Sequence, residues 1–423
     1  MKKFSKANVI FILTAVFLTT SIVTATGALI QRTIEVGDGV KIFVDGNEVI
    51  IRDSNGDVAE TFVYNGRTYA PTRAIAEALG REVTWDENLS RVNISTNNAL
   101  LIKEQGNFSA GGTVVASEGT FDPMQPWMVP QGGQTRHGDH ADVLYQIPEN
   151  ENDYSMVFLH GYGQSRRSWQ TTADGREGFS NIFLRNGYSV YLVDQPGRGQ
   201  AGQVTGAGEI SAAPDDQTWF TQFRIGLWPD FNEGVQFPKD DKSLDQFFRM
   251  MVPDTGTTAN RNATVTAMSD IFDRTGSGIL FTHSASGGTG WQTAIANENV
   301  KAIVSIEPGG FAFPIDPNAD SAQSFGGVEM DDFMKLTKIP IIVYYGDYIP
   351  DEETGIPSQD FWRQSLTSAR QWAELVNSNG GDVTIVHLPE LGIKGNTHFI
   401  MSDLNNKVIA QHIADWLNEK GLK

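Results

Sequence analysis

LFTHSASGGTGW (residues 280–291) joins an apolar, strand-like run to a segment that reads as a helix, with Ser284 and Ser286 at the joint. Serine is a weak nucleophile at neutral pH, so chemistry on it needs an adjacent base, an acid to orient that base, and donors for an oxyanion. A sharp strand-to-helix turn presents such a hydroxyl. The flanking backbones close on one another there, so the positions two residues either side must be small. In the frame of Ser286 those positions are Ser284 and Gly288, with Gly287 adjoining the serine; in the frame of Ser284 they are the β-branched Thr282 and Ser286. The glycines favour Ser286, which is the predicted nucleophile, with Ser284 as a small spacer and Gly287 N–H as one oxyanion donor.

Outward from this joint, apolar runs alternate with helical stretches. SMVFLHG (155–161), YSVYLVD (188–194), GILFT (278–282), KAIVSIEP (301–308), IPIIVYYGD (339–347) and VTIVHLP (383–389) read as strands, preceded by GGTVVAS and HADVLYQIP. Helices fit over GGTGWQTAIANEN, SQDFWRQSLTSARQWAELVNSNG and NNKVIAQHIADWLNEKG. This order predicts an α/β fold, a mostly parallel sheet wound on both faces. The stretch from Gly202 to about Arg274 is too long for one crossover, so a cap insertion is expected around 203–274. It is rich in aromatics, and Trp219, Phe220, Phe223 and Trp228 are its candidates for touching a substrate.

The remaining parts of a serine site can be sought one by one. MVFLHGYGQS (156–165) ends a strand in His160-Gly161 and continues as a glycine-containing loop, which suits the second oxyanion donor, the N–H of Tyr162. Of the 7 histidines, His398 lies on the Gly/Asn-rich loop beyond the last strand, where a base is expected. His387 falls inside that strand, His412 on the closing helix, and His160 has a structural place in its loop. The acid has two candidates, Glu307 at the end of KAIVSIE and Asp347 at the end of IPIIVYYGD, and position alone does not separate them. His137, Asp139, His140 and Asp142 form an H-x-D-H-x-D cluster without helical spacing or a further ligand, so no metal site is expected, and the chemistry calls for no cofactor.

The N-terminal quarter is organised differently. Residues 33–95 read as short strands with one helix: Asp45-Gly46 and Asn65-Gly66 are hairpin turns, and PTRAIAEALG (71–80) is a short helix stopped by Gly80. Residues 96–110 read as a linker, and 111–423 as the second domain. Residues 1–28 carry Lys2, Lys3 and Lys6, an apolar run from Val9 to Val23 and then small residues, the layout of an export signal and shorter than a bilayer span. The expected location is therefore extracellular or at the cell surface. There are no cysteines, which excludes disulfides and a thiol nucleophile. A formal charge of -19 offers no basic stripe for a phosphate backbone, so nucleic acid is not an expected partner.

Two resemblances follow from these motifs. IFVDG, YNGRTYAPTRAIAEALG and VTWD resemble the copper amine oxidase N-terminal-like, or stalk, domain. That implies a spacer or a module touching cell wall or surface. It implies no copper, because the segment has no His, Cys or Met cluster. VFLHGYGQS with its continuation, THSASGGTGWQTAI, IVSIEPGG and GIKGNTHFIMSDLNN together resemble a group of secreted bacterial esterases in the α/β-hydrolase superfamily. The resemblance implies an α/β-hydrolase fold, a small-molecule or lipid-like ester substrate, and an acyl-enzyme formed on a Ser-His-Glu triad of Ser286, His398 and Glu307. Some members have cysteines where this chain has Tyr162-Gly163, so the oxyanion loop departs from the pattern. The alternatives are a hydrolase of another acyl bond and a non-catalytic surface protein on the same scaffold.

Overall fold

The computed structural model describes residues 35–44, 47–48, 61–78, 81–86, 91–96, 100–129, 131–206, 216–253, 258–315 and 327–423. The export signal expected over 1–28 lies outside them, as does the Asp45-Gly46 turn itself. The chain divides into two compact units, Met1–Ala99 and Leu100–Lys423.

In the first unit, Gly37–Asp38, Phe62–Tyr64 and Arg67–Tyr69 form a three-stranded sheet. Asn65 (φ 48°) and Gly66 (φ 71°) both adopt positive φ, as a two-residue hairpin turn that matches strand twist demands. Phe43–Val44 and Asn47–Glu48 pair antiparallel. A helix follows over Thr72–Ala78, then a hairpin of Arg81–Asp86 with Arg91–Thr96.

The second unit is built on an eight-stranded sheet. Its strands are β1 (Ile102–Ala116), β2 (Thr135–Pro148), β3 (Ser155–Leu159), β4 (Val190–Asp194), β5 (Gly278–His283), β6 (Val300–Ile306), β7 (Pro340–Tyr345) and β8 (Asp382–His387). They lie in the order β1-β2-β4-β3-β5-β6-β7-β8. β3 to β8 run parallel, while β2 pairs antiparallel with β4 and β1 antiparallel with β2. Both faces of the parallel part are covered, which is why its strands read as unbroken apolar runs. Met156 and Phe158 of β3 enter one core, with Phe281, Phe179 and Ile413; Val157 and Leu159 enter the other, with Leu280, Ile271 and Trp372. Truncating one of these aromatics to alanine costs about 3–5 kcal/mol.

Its longer helices are α1 (Phe179–Arg185), α2 (Asp216–Gln222), α3 (Asp241–Arg249), α4 (Thr258–Thr275), α5 (Ser286–Ala296), α6 (Met330–Leu336), α7 (Pro357–Ser378) and α8 (Asn406–Glu419). Two expected boundaries shift. The linker over 96–110 gives way at Ile102 to β1, whose polar residues alternate with apolar ones because an edge strand keeps one face in water. The insertion ends before α4, which is a sheet-covering helix: Ala267 and Ile271 are core residues, and Asp270 accepts from Gly111 N–H of β1 at 2.9 Å. What remains of the insertion is α2, a short hairpin of Gly226–Leu227 with Asp230–Phe231, and α3, capped by the Asp240 side chain on Ser243 N–H at 3.0 Å.

Candidate active site

The C-terminal ends of β3, β5, β6 and β7 converge with the loop after β8, the edge of a parallel sheet where ligands bind. β5 is buried throughout, then the chain turns through Ser284 and Ala285 into α5. Ser284 has φ 55°. A non-glycine residue persists in the left-handed region only where its surroundings over-determine it. Here they do: Ser284 N–H donates to Ile306 O at 2.9 Å, while its carbonyl accepts from Gly287 N–H at 3.0 Å and Gly309 N–H at 3.2 Å. Ser284 is half-buried, at the apex of the turn.

Ser286 faces the other way. It is 2% exposed, and its Oγ lies 2.9 Å from His283 O and 3.1 Å from Leu159 O while accepting from His283 N–H at 2.9 Å. That hydroxyl ties the end of β5 to the end of β3. The expectation that Ser286 attacks and Ser284 is a spacer does not fit this geometry, because Ser286 Oγ is committed to the main chain while Ser284 stands at the apex of the turn. Gly287 as oxyanion donor is corrected with it, because its N–H is taken by the Ser284 carbonyl. The glycines that favoured Ser286 answer to packing instead. A Cβ on Gly287 would stand 2.5 Å from Pro308 Cβ, and one on Gly290 would stand 2.5 Å from Thr282 Cγ2.

The residue after Ser284 is Ala285, and neither its N–H nor that of Tyr162 donates to any of the described residues. The loop carrying Tyr162 passes directly over the turn, since a Cβ on Gly161 would come within 3.0 Å of Ser284 Cβ. Gln164 holds that loop by accepting from Gly161 N–H at 3.2 Å.

Glu307 and His398 meet inside the protein, both 0% exposed, with Nδ1 2.7 Å from Oε2. The carboxylate accepts a hydrogen bond from Nδ1–H, which leaves the lone pair of the neutral ring on Nε2, an atom with no hydrogen bond among the described residues. Burial alone would raise the Glu307 carboxyl; the adjacent Arg224 charge and the His398 bond outweigh it and hold the group at about 2. Burial pushes His398 below the ordinary imidazole value, and Glu307 pushes it part of the way back. Glu307 Oε1 also accepts from Gly346 N–H at 2.6 Å and from Arg224.

Asp347, the other acid candidate, is not brought to the imidazole. Its Oδ2 accepts from Gly395 N–H and its Oδ1 from Tyr348 N–H, each at 2.7 Å, so it shapes the base loop through the backbone. Asp403 does the same from the far side, accepting from Thr397 N–H at 2.7 Å, Thr397 Oγ1 at 2.9 Å and Asn396 Nδ2 at 3.1 Å. Burial raises its carboxyl to about 7 against those three donors.

Of the four aromatics singled out in the insertion, two reach the cluster. The Trp219 ring stacks on Tyr162 at 5.7 Å, and Phe223 stacks on the His398 ring at 4.6 Å. Phe220 and Trp228 pack edge-on against each other at 5.2 Å inside the insertion and are not brought to the catalytic loops. The sequence reading missed Arg224, His283 and Trp362. His283 bridges the oxyanion and base loops, with Nδ1 3.0 Å from Gln164 Oε1 and Nε2 3.0 Å from His398 O. Its place beside the serine in THSAS was the one available signal; nothing marked Arg224 or Trp362. In the H-x-D-H-x-D segment the carboxylates have other partners, Asp142 with Arg166 and Asp139 with Thr205. Among the described residues no group of three or more His, Cys, Asp or Glu could hold a metal ion.

Residues 41–110 match the copper amine oxidase N-terminal domain. A probable secreted lipase phiG from Fungal sp. (strain ATCC 74256) is 29% identical over 313 residues, covering 65% of this chain and 84% of that protein. A solved structure described as a novel bacterial esterase is 30% identical with a TM-score of 0.63, covering 77% of this chain and 98% of its own. Residues 156–418, from β3 to α8, match the alpha/beta hydrolase family model. The eight-stranded sheet and that match agree: the chain belongs to the alpha/beta hydrolase family.

Proposed function

We propose that the protein is a secreted carboxylic ester hydrolase working through an acyl-enzyme on Ser284, with His398 as base, Glu307 as acid, and the N–H groups of Tyr162 and Ala285 as oxyanion donors. The observation that carries this reading is the buried Glu307–His398 contact of 2.7 Å, which leaves Nε2 as the imidazole's free basic atom. Ester as the substrate class is supported by the names of the lipase and the esterase that this chain resembles. The Lys-rich, apolar leader and the relative named as secreted support export.

In the first half-reaction His398 Nε2 takes the Ser284 proton as Oγ attacks the ester carbonyl. The carbonyl oxygen becomes an oxyanion between the two N–H donors, and loss of one such donor typically costs about 3 kcal/mol of transition-state stabilisation. Glu307 holds the ring tautomer and stabilises the imidazolium, which then protonates the departing alcohol. Water enters by the same route, deprotonated by His398, and releases the acid. Trp219, stacked on Tyr162, and Phe223, stacked on His398, are the aromatic residues of the insertion that we assign to substrate contact.

A fluorophosphonate probe followed by peptide mapping tests the assignment. Label is expected on Ser284 in the wild-type protein and in Ser286→Ala, and absent from Ser284→Ala. Label that persists in Ser284→Ala and vanishes in Ser286→Ala would restore the other register.

A further inference from the structure

The insertion delivers one arginine into the catalytic cluster. Arg224 follows α2 at φ 61° and is 3% exposed. Its backbone is fixed by its N–H on Thr221 O at 3.2 Å and by Asn232 Nδ2 donating to its carbonyl at 2.8 Å. The guanidinium then spans the ends of two sheet strands. Nε donates to Asp347 O at 2.8 Å beyond β7, and Nη2 pairs with Glu307 Oε1 beyond β6. The Trp362 ring lies 4.9 Å from its carbon.

As a device for stability alone this arrangement is poor. Nη1 is buried with no hydrogen bond among the described residues. A buried ion pair that leaves a donor unsatisfied rarely outperforms apolar packing, and a positive φ on arginine adds strain. Its chemical position is more telling. The two Glu307 oxygens are divided, Oε2 to His398 and Oε1 to Arg224 and Gly346 N–H. A fixed cation on one oxygen reduces the pull of the carboxylate on a proton held by the other oxygen's partner.

We propose that Arg224 is a positioning residue for the acid and base. It fixes the Glu307 carboxylate toward His398 Nδ1 and offsets part of its charge, so that the imidazole stays available as a base in mildly acidic solution. The proposal rests on His398 being the base. The groups facing that ring come from every element around it. Glu307 stands at the end of β6 and Arg224 reaches in from the insertion. The His283 ring of β5 lies 4.5 Å away. Asp347 and Asp403 act on the base loop through Gly395 and Thr397. Trp362, Phe223 and Phe399 are uncharged neighbours. Among these, Arg224 is the cation bonded directly to the acid.

The test compares wild type with Arg224→Lys, Arg224→Met and Arg224→Gly, reading kcat/KM for a p-nitrophenyl ester against pH and folded fraction by circular dichroism. Glycine accepts the positive φ and leaves a guanidinium-sized gap. In Arg224→Met the acidic limb is expected to move to higher pH by about one unit, with kcat down roughly 10- to 100-fold and KM little changed. Arg224→Lys keeps the charge and is expected to keep the limb near its wild-type place. Added guanidinium ion is expected to restore part of the Arg224→Gly turnover and to return its limb toward lower pH. The proposal is overturned if the limb stays at the wild-type pH in both the Met and Gly variants and activity falls only in step with folded fraction. It is also overturned if guanidinium restores nothing to a folded Arg224→Gly protein. His398→Ala in the same series separates the two layers. Turnover close to wild type there sinks the triad itself, whereas a dead His398→Ala with an unmoved limb in the arginine variants sinks only the role of Arg224.

Discussion

The turn after β5 and the paired turns after β6 and β7 pose the same problem. Each offers two side chains of like chemistry, Ser284 with Ser286 and Glu307 with Asp347, and in each pair one braces the backbone while the other is the one we assign to catalysis. Ser286 spends its hydroxyl on the main chain of His283 and Leu159; Asp347 spends its carboxylate on the N–H groups of Gly395 and Tyr348. The members we assign to catalysis share a backbone feature. Ser284 has φ 55° and Glu307 φ 46°, whereas neither brace has positive φ. Six described non-glycine residues have positive φ, and three of them, Arg224, Ser284 and Glu307, are in this one cluster. Strain of that kind collects where a side chain must be aimed somewhere ordinary backbone would not send it.

The serine pair gives the largest test of the contrast. Ser284→Ala is expected to lower kcat by about 10⁴-fold or more, and Ser286→Ala by less than about tenfold. Losing the Ser286 bonds is expected instead to lower unfolding free energy by about 1–3 kcal/mol, measured by urea titration. Similar kinetic losses in both variants, with no difference in stability, would erase the distinction between attacker and brace.

The carboxylates should divide in the same way, less steeply. Glu307→Gln removes the charge that stabilises the imidazolium and is expected to cost about 10³- to 10⁴-fold in kcat. Asp347→Asn leaves Glu307 in place and is expected to stay within about tenfold, with KM and kcat changing together as the base loop loosens. Reversal of that order in steady-state kinetics would move the acid to the end of β7.

The pH dependence of stability sharpens it further. Glu307 is held near 2 in the folded protein against an ordinary 4.5, so its ionised form favours the native state. That contribution is fully present above about pH 4.5 and disappears as pH falls toward 2, and a depression of this size corresponds to about 3 kcal/mol. In urea titrations, Glu307→Gln is expected to flatten the loss of stability over that window. A wild-type curve and a Glu307→Gln curve of equal slope there would contradict the buried ion pair.

Much of this was legible in the sequence. The strand runs, the helices between them, His398 on its loop and the Tyr162 loop all follow from apolar periodicity and Gly/Asn punctuation. The pairing of Glu307 with His398 needed the family resemblance, because both strand ends offer a carboxylate and only three-dimensional reach separates them. In the sequence the glycines point to Ser286, but glycines crowd for more than one reason: in the fold Gly287 yields to Pro308 and Gly290 to Thr282, close packing around α5 that does not depend on which serine attacks. Thr282 is β-branched, which in the sequence counts against it as a flanking position. In the sheet it is fully buried and its Oγ1 lies 2.8 Å from Ser305 Oγ on β6, so its branch is accommodated between strands rather than in the turn. Arg224 left no trace, since an arginine in an aromatic insertion reads as surface until the chain folds it inward.

The smallest effect discriminates most finely between the two registers. With Ser286 as nucleophile, Gly288 is the small residue two positions on, and a methyl there should damage the turn. With Ser284 as nucleophile, Gly288 is simply an exposed position in the first turn of α5, where an added Cβ meets nothing within 4 Å. Gly288→Ala is therefore expected to leave kcat and KM unchanged and to raise unfolding free energy by about 0.5–1 kcal/mol, because alanine loses less backbone entropy in a helix than glycine does. Gly290→Ala, two residues on in the same helix, forces a Cβ to 2.5 Å from Thr282 Cγ2 and is expected to destabilise by about 1–3 kcal/mol. Thermal melts and ester kinetics on the two variants check both. A Gly288→Ala protein that folds normally and loses turnover would return the nucleophile to Ser286.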